Sequence, residues 1–287
     1  MSIDRPEPAR SFGGVADAYD RGRPTYPREA AAWLTSDTLP RDQTLSVLEL
    51  AAGTGKLTEQ LVALGHDVHA TEPDPKMLAV LQKKLPDVRA SQAPAEEIPA
   101  GDSSYDVVVS GQAFHWFDHA KALPEIARVL RPRGRLSLVW NQRDERIPWV
   151  KRLGRIIGTQ DQLNDPVDML ERSGLFGETE QEKFRFWQVV DRRSIQDLVR
   201  SRSNVATLSP AEQEAKMTEV LAFYDDFGRG MDGMQLPYTA SCFRTQVLDR
   251  VTPTLTDSGA SSGSVPDDTG NVVSDGSSTD MLLIDFR

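Results

Sequence analysis

The chain contains 287 residues, and its 43 acidic and 33 basic side chains give a formal net charge of −10 at pH 7. This acidic balance argues against binding to the phosphate backbone of nucleic acid as the main activity. No apolar run approaches the roughly 20 residues of a membrane span, and no signal-peptide pattern is found, so no membrane partner is expected. The one cysteine, Cys242, cannot form an intrachain disulfide, which favours a cytoplasmic protein.

Apolar strands and amphipathic helices alternate through the first half of the chain. The pattern predicts strands at about 45–50 and 67–71 and helices at 55–64 and 75–84. It continues with a strand from Tyr105, a helix from Ala122 to Leu130 and a strand that ends near Trp140. Such alternation is typical of an α/β fold, in which a mostly parallel sheet carries helices on both faces.

The second half of the chain is less regular. Residues from 141 to about 180 are charged and helical in pattern, and they predict a small helical cap over a pocket. A strand is expected at 184–190, helices at 195–202 and 210–227, and a final strand at 236–246. Residues 252–280 are mainly Ser, Thr, Gly and Asp, without lysine or arginine, and we expect them to be disordered.

A glycine turn between two acidic strand ends is the most informative feature. Glu49 lies at the end of the first strand, and Gly53 and Gly55 allow a tight turn and the close approach of a ligand. The next helix directs its N-terminus to the same place. The second strand ends in Glu72, at the position where a βαβ nucleotide-binding unit holds ribose hydroxyls. Together these residues predict a cofactor that contains adenosine.

The glycine spacing distinguishes between such cofactors. A dinucleotide turn has the pattern G-x-G-x-x-G, but no third glycine follows Gly55, and no phosphate loop of the G-x-x-x-x-G-K-[ST] type is present. The sequence E-x-A-x-G-T-G resembles motif I of the class I S-adenosylmethionine-dependent methyltransferases. Ala51 stands where that family usually has glycine. The resemblance implies that Glu49 lies near the methionine amino group of the cofactor.

Other segments resemble the same family in the expected order. The run T-E-P-D-P-K-M-L is similar to its second motif, which implies that Glu72 accepts both ribose hydroxyls and that Met77 lies along the adenine. Residues 95–99 resemble a segment at the adenine edge and make Ala95 and Glu96 candidate cofactor contacts. The loop after the fourth strand adds Gln112 to the cofactor-binding candidates.

Residues 12–27 resemble the N-terminal segment of small-molecule methyltransferases similar to the trans-aconitate type. Such a segment folds over the cofactor as a lid. This implies that Tyr19 and Arg23 close on the methionine end, Arg23 by pairing with the methionine carboxylate. The alternative is a frayed terminus with solvated arginines.

The methyl acceptor is less readable from the sequence. His115 follows the fourth strand and is the candidate general base, with a purely structural histidine as the alternative; Trp116 is expected to pack. Basic residues are frequent from Lys121 to Arg155 and from Arg192 to Arg202. They form solvated helix faces, or a few of the arginines enter the site and hold an anionic acceptor. The four histidines and one cysteine form no metal-ligand spacing.

The resemblance implies a complete assignment. The fold is a Rossmann-like, seven-stranded, mostly parallel sheet with an antiparallel last strand and a small helical cap. Residues 1–40 form the lid and first helix, 41–140 the cofactor-binding core, 141–182 the cap, 183–250 the completion of the core and 251–287 a tail. The protein transfers a methyl group from S-adenosyl-L-methionine to a small organic acceptor, on an oxygen of an acid or hydroxyl, as a monomer or homodimer and without nucleic acid. A nicotinamide-dependent dehydrogenase and a cofactor-binding protein with a degenerate methyltransferase fold remain alternatives.

Overall fold

The computed structural model describes residues 16–36, 44–158, 165–202, 205, 207–227 and 233–248, and the predicted tail lies outside this range. The elements, in chain order, are α1 (Ala16–Gly22), α2 (Arg28–Thr35), β1 (Ser46–Leu50), α3 (Lys56–Ala63), β2 (Asp67–Thr71), α4 (Pro75–Lys84), β3 (Arg89–Ser91), β4 (Tyr105–Gly111), a 3₁₀ turn (Phe114–Trp116), α5 (His119–Val129), β5 (Leu130–Arg143), α6 (Pro148–Ile157), α7 (Val167–Arg172), β6 (Phe176–Val190), α8 (Ser194–Arg200), α9 (Pro210–Phe227) and β7 (Met234–Val247). No helix in these ranges is long and apolar enough to cross a membrane.

One sheet of seven strands organises the fold, in the order β3-β2-β1-β4-β5-β7-β6. β1 pairs in parallel with β2 and β4, and the parallel pairs β2–β3 and β4–β5 extend the sheet outward. β7 is antiparallel to both of its neighbours, β5 and β6. The predicted α/β fold class is therefore confirmed. The strand order reverses between β1 and β4, which opens a crevice at the carboxyl ends of these strands, where ligands of open α/β sheets bind.

Helices cover both faces of the sheet because successive strand residues point to opposite sides. On one face Val47 and Val107 pack with residues of α2 and α3. On the other face Leu48 and Val108 pack with Ile126 of α5. These four strand residues are fully buried, as expected for parallel strands enclosed on both sides.

The helical pattern predicted for residues 141 to about 180 is wrong at both ends. β5 continues to Arg143, and β6 begins at Phe176, eight residues before the predicted strand at 184. The reason is long-range pairing: β7 forms ladders along β5 up to Tyr238 opposite Arg143, and along β6 up to Val247 opposite Phe176. Backbone pairing with a distant strand thus overrides the local helical pattern of a charged segment.

A second layer of helices covers the ends of β6 and β7. Its core joins Val150 and Leu153 of α6 to Leu198 of α8 and Val220 of α9. The helices α8 and α9 match the predictions at 195–202 and 210–227, but they belong to this layer together with α6. The division of the chain into lid, core, cap and tail stays a prediction.

Candidate functional site

The turn after β1 has an unusual backbone. Ala51, Gly53 and Gly55 all have positive φ angles, of 55°, 59° and 82° respectively. Glycine adopts this left-handed region freely, whereas for alanine it costs roughly 1–2 kcal/mol. Gly55 is the residue before α3, so the turn leads directly into the N-terminus of that helix. Ala51 therefore stands at a position whose conformation favours glycine.

Glu72 connects this turn with the next one. One of its carboxylate oxygens accepts a hydrogen bond from the Gly53 N–H at 2.9 Å, and the other accepts from the Asp74 N–H at 2.7 Å. Asp74 in turn caps α4, whose residue Met77 is buried with its methyl group beside Gly53. The carboxylate is thus held in place by the two turns that follow β1 and β2.

Glu49 is a buried carboxyl group near the end of β1. Its Oε2 atom accepts a hydrogen bond of 2.6 Å from the hydroxyl of Thr58, and only 2% of the residue is exposed. Burial raises the pKa of Glu49 to about 8; the Thr58 hydrogen bond opposes the rise and the charge of Glu72 adds to it. A cation placed against Glu49 would favour its ionised form.

The raised pKa of Glu49 makes stability depend on pH. Glu49 binds its proton more tightly in the folded chain, at a pKa of about 8, than at the ordinary value of 4.5. Its contribution to the free energy of unfolding should therefore fall as the pH rises from 4.5 towards 8. We expect Glu49→Gln to gain stability relative to the unchanged protein over this window, measured by urea denaturation at several pH values. A constant difference between the two proteins would contradict this expectation.

The segment that resembles a lid is docked on α8. Arg21 donates two hydrogen bonds to Asp197, at 2.8 and 3.3 Å. Arg23 donates from Nε to the hydroxyl of Ser201 at 2.9 Å and from Nη2 to the Ser201 carbonyl at 3.0 Å. Within the described residues, this segment is therefore not a frayed terminus with solvated arginines.

The same segment also contacts the helices that follow β1 and β2. Asp20 accepts a hydrogen bond of 2.8 Å from Lys84 of α4 and lies 4.0 Å from the Lys56 ammonium of α3. The ring of Tyr19 lies beneath the Arg23 guanidinium, 5.2 Å from ring centroid to Cζ. Burial raises the pKa of Tyr19, and the nearby Arg23 cation opposes this rise. α1 thus joins the α8 side of the crevice to the glycine-turn side.

These elements enclose a cavity at the carboxyl edge of the sheet. The cavity is lined by Tyr19, Arg23, Pro24, Tyr26, Glu49, Ala51, Ala52, Gly53, Thr54, Lys56, Leu57, Gly111, Gln112, Asn141, Arg143, Leu198 and Tyr238. Six candidates from the sequence are among them, from the lid, the glycine turn and the loop after β4. Three further lining residues, Asn141, Arg143 and Tyr238, lie on β5 and β7. Arg143 belongs to the basic stretch from Lys121 to Arg155 that could hold an anionic acceptor, whereas Asn141 and Tyr238 are not among the candidates from the sequence.

Gln112 is fixed at the end of β4. Its φ angle is positive, 61°, its N–H donates to the carbonyl of Val139 at 2.9 Å, and its side-chain amide donates to the carbonyl of Asn141 at 3.0 Å. The side-chain amide of Asn141 donates to the Thr25 carbonyl at 3.1 Å. The loop after β4 is therefore tied to β5 and to the segment after α1.

The other candidates lie outside the cavity lining. Gly55 of the turn does not contribute to the lining, and neither do Glu72 and Met77, which are buried. Ala95 is buried in the main core, and Glu96 accepts a hydrogen bond of 2.8 Å from the Asp118 N–H.

His115 is exposed on the 3₁₀ turn. Its ring packs beside Trp116, with centroids 4.6 Å apart, and the indole N–H of Trp140 approaches its Nδ1 at 3.5 Å. Like the adenine-edge candidates, it lies outside the cavity lining.

Comparison with known proteins identifies the family. Residues 48–138 match the family model described as a methyltransferase domain. An uncharacterised methyltransferase of Mycobacterium tuberculosis is 44% identical over 249 residues, which cover 85% of this chain and 98% of that protein. The chain belongs to the class I S-adenosylmethionine-dependent methyltransferases. The demethylmenaquinone methyltransferase of Chlorobaculum parvum is a more distant member, 32% identical over 132 residues, which are 43% of this chain and 55% of that protein.

Solved structures agree on the fold of this methyltransferase. A putative methyltransferase from an antibiotic biosynthesis pathway of Anabaena variabilis matches 76% of this chain and 95% of its own, with a TM-score of 0.52 at 22% identity. The enzyme uses S-adenosylmethionine, the cofactor of the family, and the comparisons support neither the dehydrogenase nor the degenerate binding protein. The residues present fit this cofactor. Two acidic side chains, Glu49 and Glu72, lie beside the turn. The space at Gly53 is open to a ligand, because a Cβ atom there would meet only the methyl group of Met77.

Proposed function

We propose that this methyltransferase transfers the methyl group to an oxygen atom of a small organic acid or hydroxyl compound. The observation that carries the proposal is the chemistry of the cavity wall opposite the glycine turn, where Gln112, Asn141 and Arg143 supply amide and guanidinium groups. Hydrogen-bond donors of this kind favour an acceptor molecule that carries oxygen atoms. The relative that acts on demethylmenaquinone supports a small-molecule acceptor, and the net charge of −10 disfavours nucleic acid.

In this proposal the two acidic strand ends and the turn hold the cofactor. Glu72 accepts the ribose hydroxyls, since each of its oxygens takes one backbone N–H and carboxylate oxygens accept more than one hydrogen bond. Glu49 faces the methionine ammonium, and Ala51, Gly53 and Gly55 shape the backbone beside it. Tyr19 and Arg23 close on the methionine end of the cofactor. The rest of the cofactor is bordered by Met77, Ala95, Glu96 and Gln112.

The residues of the chain contribute mainly alignment and exclusion of water. The cofactor supplies a methyl group on a positively charged sulfur, which is already activated for transfer. α1, fixed to α8 through Arg21 and Arg23, covers the cavity and keeps water from the reacting atoms. The wall of Gln112, Asn141 and Arg143 orients the acceptor towards the turn, and orientation of this kind accounts for much of the rate in a displacement reaction.

The effect of replacing His115 distinguishes a carboxylate acceptor from a hydroxyl acceptor. A carboxylate is ionised at neutral pH and needs no base, so His115→Asn should then lower the rate only modestly, with an unchanged pH profile. A hydroxyl acceptor needs its proton removed, and the same change should cost roughly 10²- to 10⁴-fold and abolish one limb of the profile. His119→Asn is the matched control, because His119 contacts the Phe114 carbonyl at 2.9 Å in the same loop. If both variants lose the same rate, the effect comes from loop structure and His115 is not the base.

A labelled-methyl transfer screen tests the proposed function. The full-length protein is incubated with methyl-labelled S-adenosylmethionine and panels of small carboxylic acids, phenols and amines, with polynucleotides and proteins in parallel. We expect label in a small acid or hydroxyl compound, in an ester or ether linkage. Label confined to polynucleotides or proteins would refute a small-molecule acceptor, and label on nitrogen would refute transfer to oxygen.

A further inference from the structure

Two side chains from neighbouring strands form one wall of the cavity. Arg143 of β5 lies directly opposite Tyr238 of β7 in the antiparallel ladder, so their side chains share one face of the sheet. Both residues are buried, with 5% and 3% exposed respectively, and both line the cavity that also contains Glu49 and Gly53. A cation and a phenolic hydroxyl therefore lie together at the edge of the site.

The guanidinium of Arg143 is held in a fixed place. Its Nη2 atom donates to a carboxylate oxygen of Glu145 at 3.1 Å and to the carbonyl of Gly158 at 3.1 Å, and 1% of the side chain is exposed. Tyr238 is fixed as well, because its ring stacks on Phe186 with centroids 5.4 Å apart and an interplanar angle of 21°. A binding group positioned by its neighbours in this way loses little conformational entropy when a ligand arrives.

Three arginines act on the Tyr238 hydroxyl, and the Glu145 carboxylate partly offsets the charge of one of them, Arg143. Burial raises the pKa of Tyr238, and three cations, Arg143, Arg23 and Arg202, act against that rise. Cations gathered around one hydroxyl stabilise an anion placed among them, by charge and by charge-assisted hydrogen bonds. On the glycine-turn side of the cavity the lining includes an acidic residue, Glu49.

We propose that Arg143 and the Tyr238 hydroxyl bind an anionic group of the acceptor, a carboxylate or a phosphate, that is separate from the oxygen being methylated. The inference rests on the proposed function, because it assigns the acceptor side of the same site. An oxygen paired with a guanidinium has its electron pairs drawn towards that cation, which makes it a poorer nucleophile. The anchored group and the nucleophilic oxygen are therefore different groups, and Arg143 determines specificity.

Calorimetry with two simple anions tests this assignment. Succinate and inorganic phosphate are titrated into the full-length protein saturated with S-adenosylhomocysteine, and the two probes distinguish a carboxylate subsite from a phosphate subsite. We expect one of them to bind the unchanged protein and to bind Arg143→Gln about 10-fold or more weakly. Tyr238→Phe keeps the ring stack on Phe186 and should weaken binding by a smaller factor.

Glu145→Gln separates anion binding from a structural role of Arg143. This change removes the carboxylate partner but keeps the cation, so the probe should bind as tightly as before or more tightly. The affinity for S-adenosylhomocysteine should be the same in every variant, which shows that the cofactor side is folded.

Three results would overturn the inference: neither anion binds the unchanged protein, Arg143→Gln binds the anion as well as the unchanged protein does, or Glu145→Gln loses as much affinity as Arg143→Gln. The methyl-transfer screen tests the proposed function independently of this calorimetry. A small neutral acceptor found there, with no anion bound, would overturn this inference and leave the proposed function in place.

Discussion

Replacement of Glu72 by alanine should weaken the binding of S-adenosylhomocysteine by about 10- to 150-fold. The expected loss corresponds to roughly 1.5–3 kcal/mol, the typical value of hydrogen bonds to a charged acceptor. The change also removes the acceptor of the Gly53 and Asp74 N–H groups, so the turn after β1 loses one of its fixed points. Because one carboxylate serves both the ligand and the turn, we expect this to be the largest single loss of affinity.

Calorimetry with two further variants makes the Glu72 test specific. Glu72→Gln keeps the shape and one acceptor oxygen, and should retain part of the affinity. Asp87→Ala removes an exposed carboxylate in the turn after α4 and serves as the matched control for charge. If Glu72→Ala binds the ligand as tightly as Asp87→Ala does, Glu72 does not hold the ribose.

Substitution of Gly22 by alanine should detach α1 from α8. A Cβ atom on Gly22 would lie 2.2 Å from the backbone nitrogen of Leu198 and 2.3 Å from the carbonyl carbon of Asp197. Backbone atoms cannot give way as a flexible side chain can, so α1 must move outward and strain the contacts of Arg21 with Asp197. Overpacking of this kind typically costs 1–3 kcal/mol. We expect faster proteolysis within α1 and weaker binding of S-adenosylhomocysteine.

Two other variants show whether the close approach of the helices is the cause. Gly101→Ala is the matched glycine control, because a Cβ atom there would meet only the Ser104 hydroxyl oxygen at 3.7 Å. Arg21→Ala removes an ion pair whose arginine side chain is 48% exposed, and such pairs contribute at most about 1 kcal/mol. If Gly22→Ala is proteolysed no faster than Gly101→Ala, the attachment of α1 to α8 does not depend on the close approach at Gly22.

The cofactor half of the fold could be predicted because its signals are local. The alternation of strands and helices from 45 to 84 matches β1, α3, β2 and α4 closely. The start of α4 is determined by Asp74, whose side chain accepts from the N–H groups of Lys76 and Met77, and by Pro75 at the first helical position. Each of these features involves residues within a few positions of one another, so the sequence alone carries them.

The acceptor half could not be predicted in the same way. The first part of β6 is largely exposed, and its strand conformation depends on pairing with β7, some 60 residues later. The register of β5 with β7 brings Tyr238 opposite Arg143. The sequence marks Arg143 only as one of many basic residues between Lys121 and Arg155, and no local pattern places Tyr238 beside it. His115 is the candidate base because of its place after a strand end, which does not determine where the side chain lies. It is exposed and outside the cavity lining, and its catalytic role stays a prediction.

The most direct measurement is a crystal structure of the enzyme with bound S-adenosylhomocysteine. We expect both ribose hydroxyls to lie within about 2.6–3.2 Å of the Glu72 carboxylate. We also expect the amino group to face Glu49 and the sulfur to point to the wall of Gln112, Asn141 and Arg143. A ribose held elsewhere, or a sulfur directed away from that wall, would contradict the assignment of the two halves of the site.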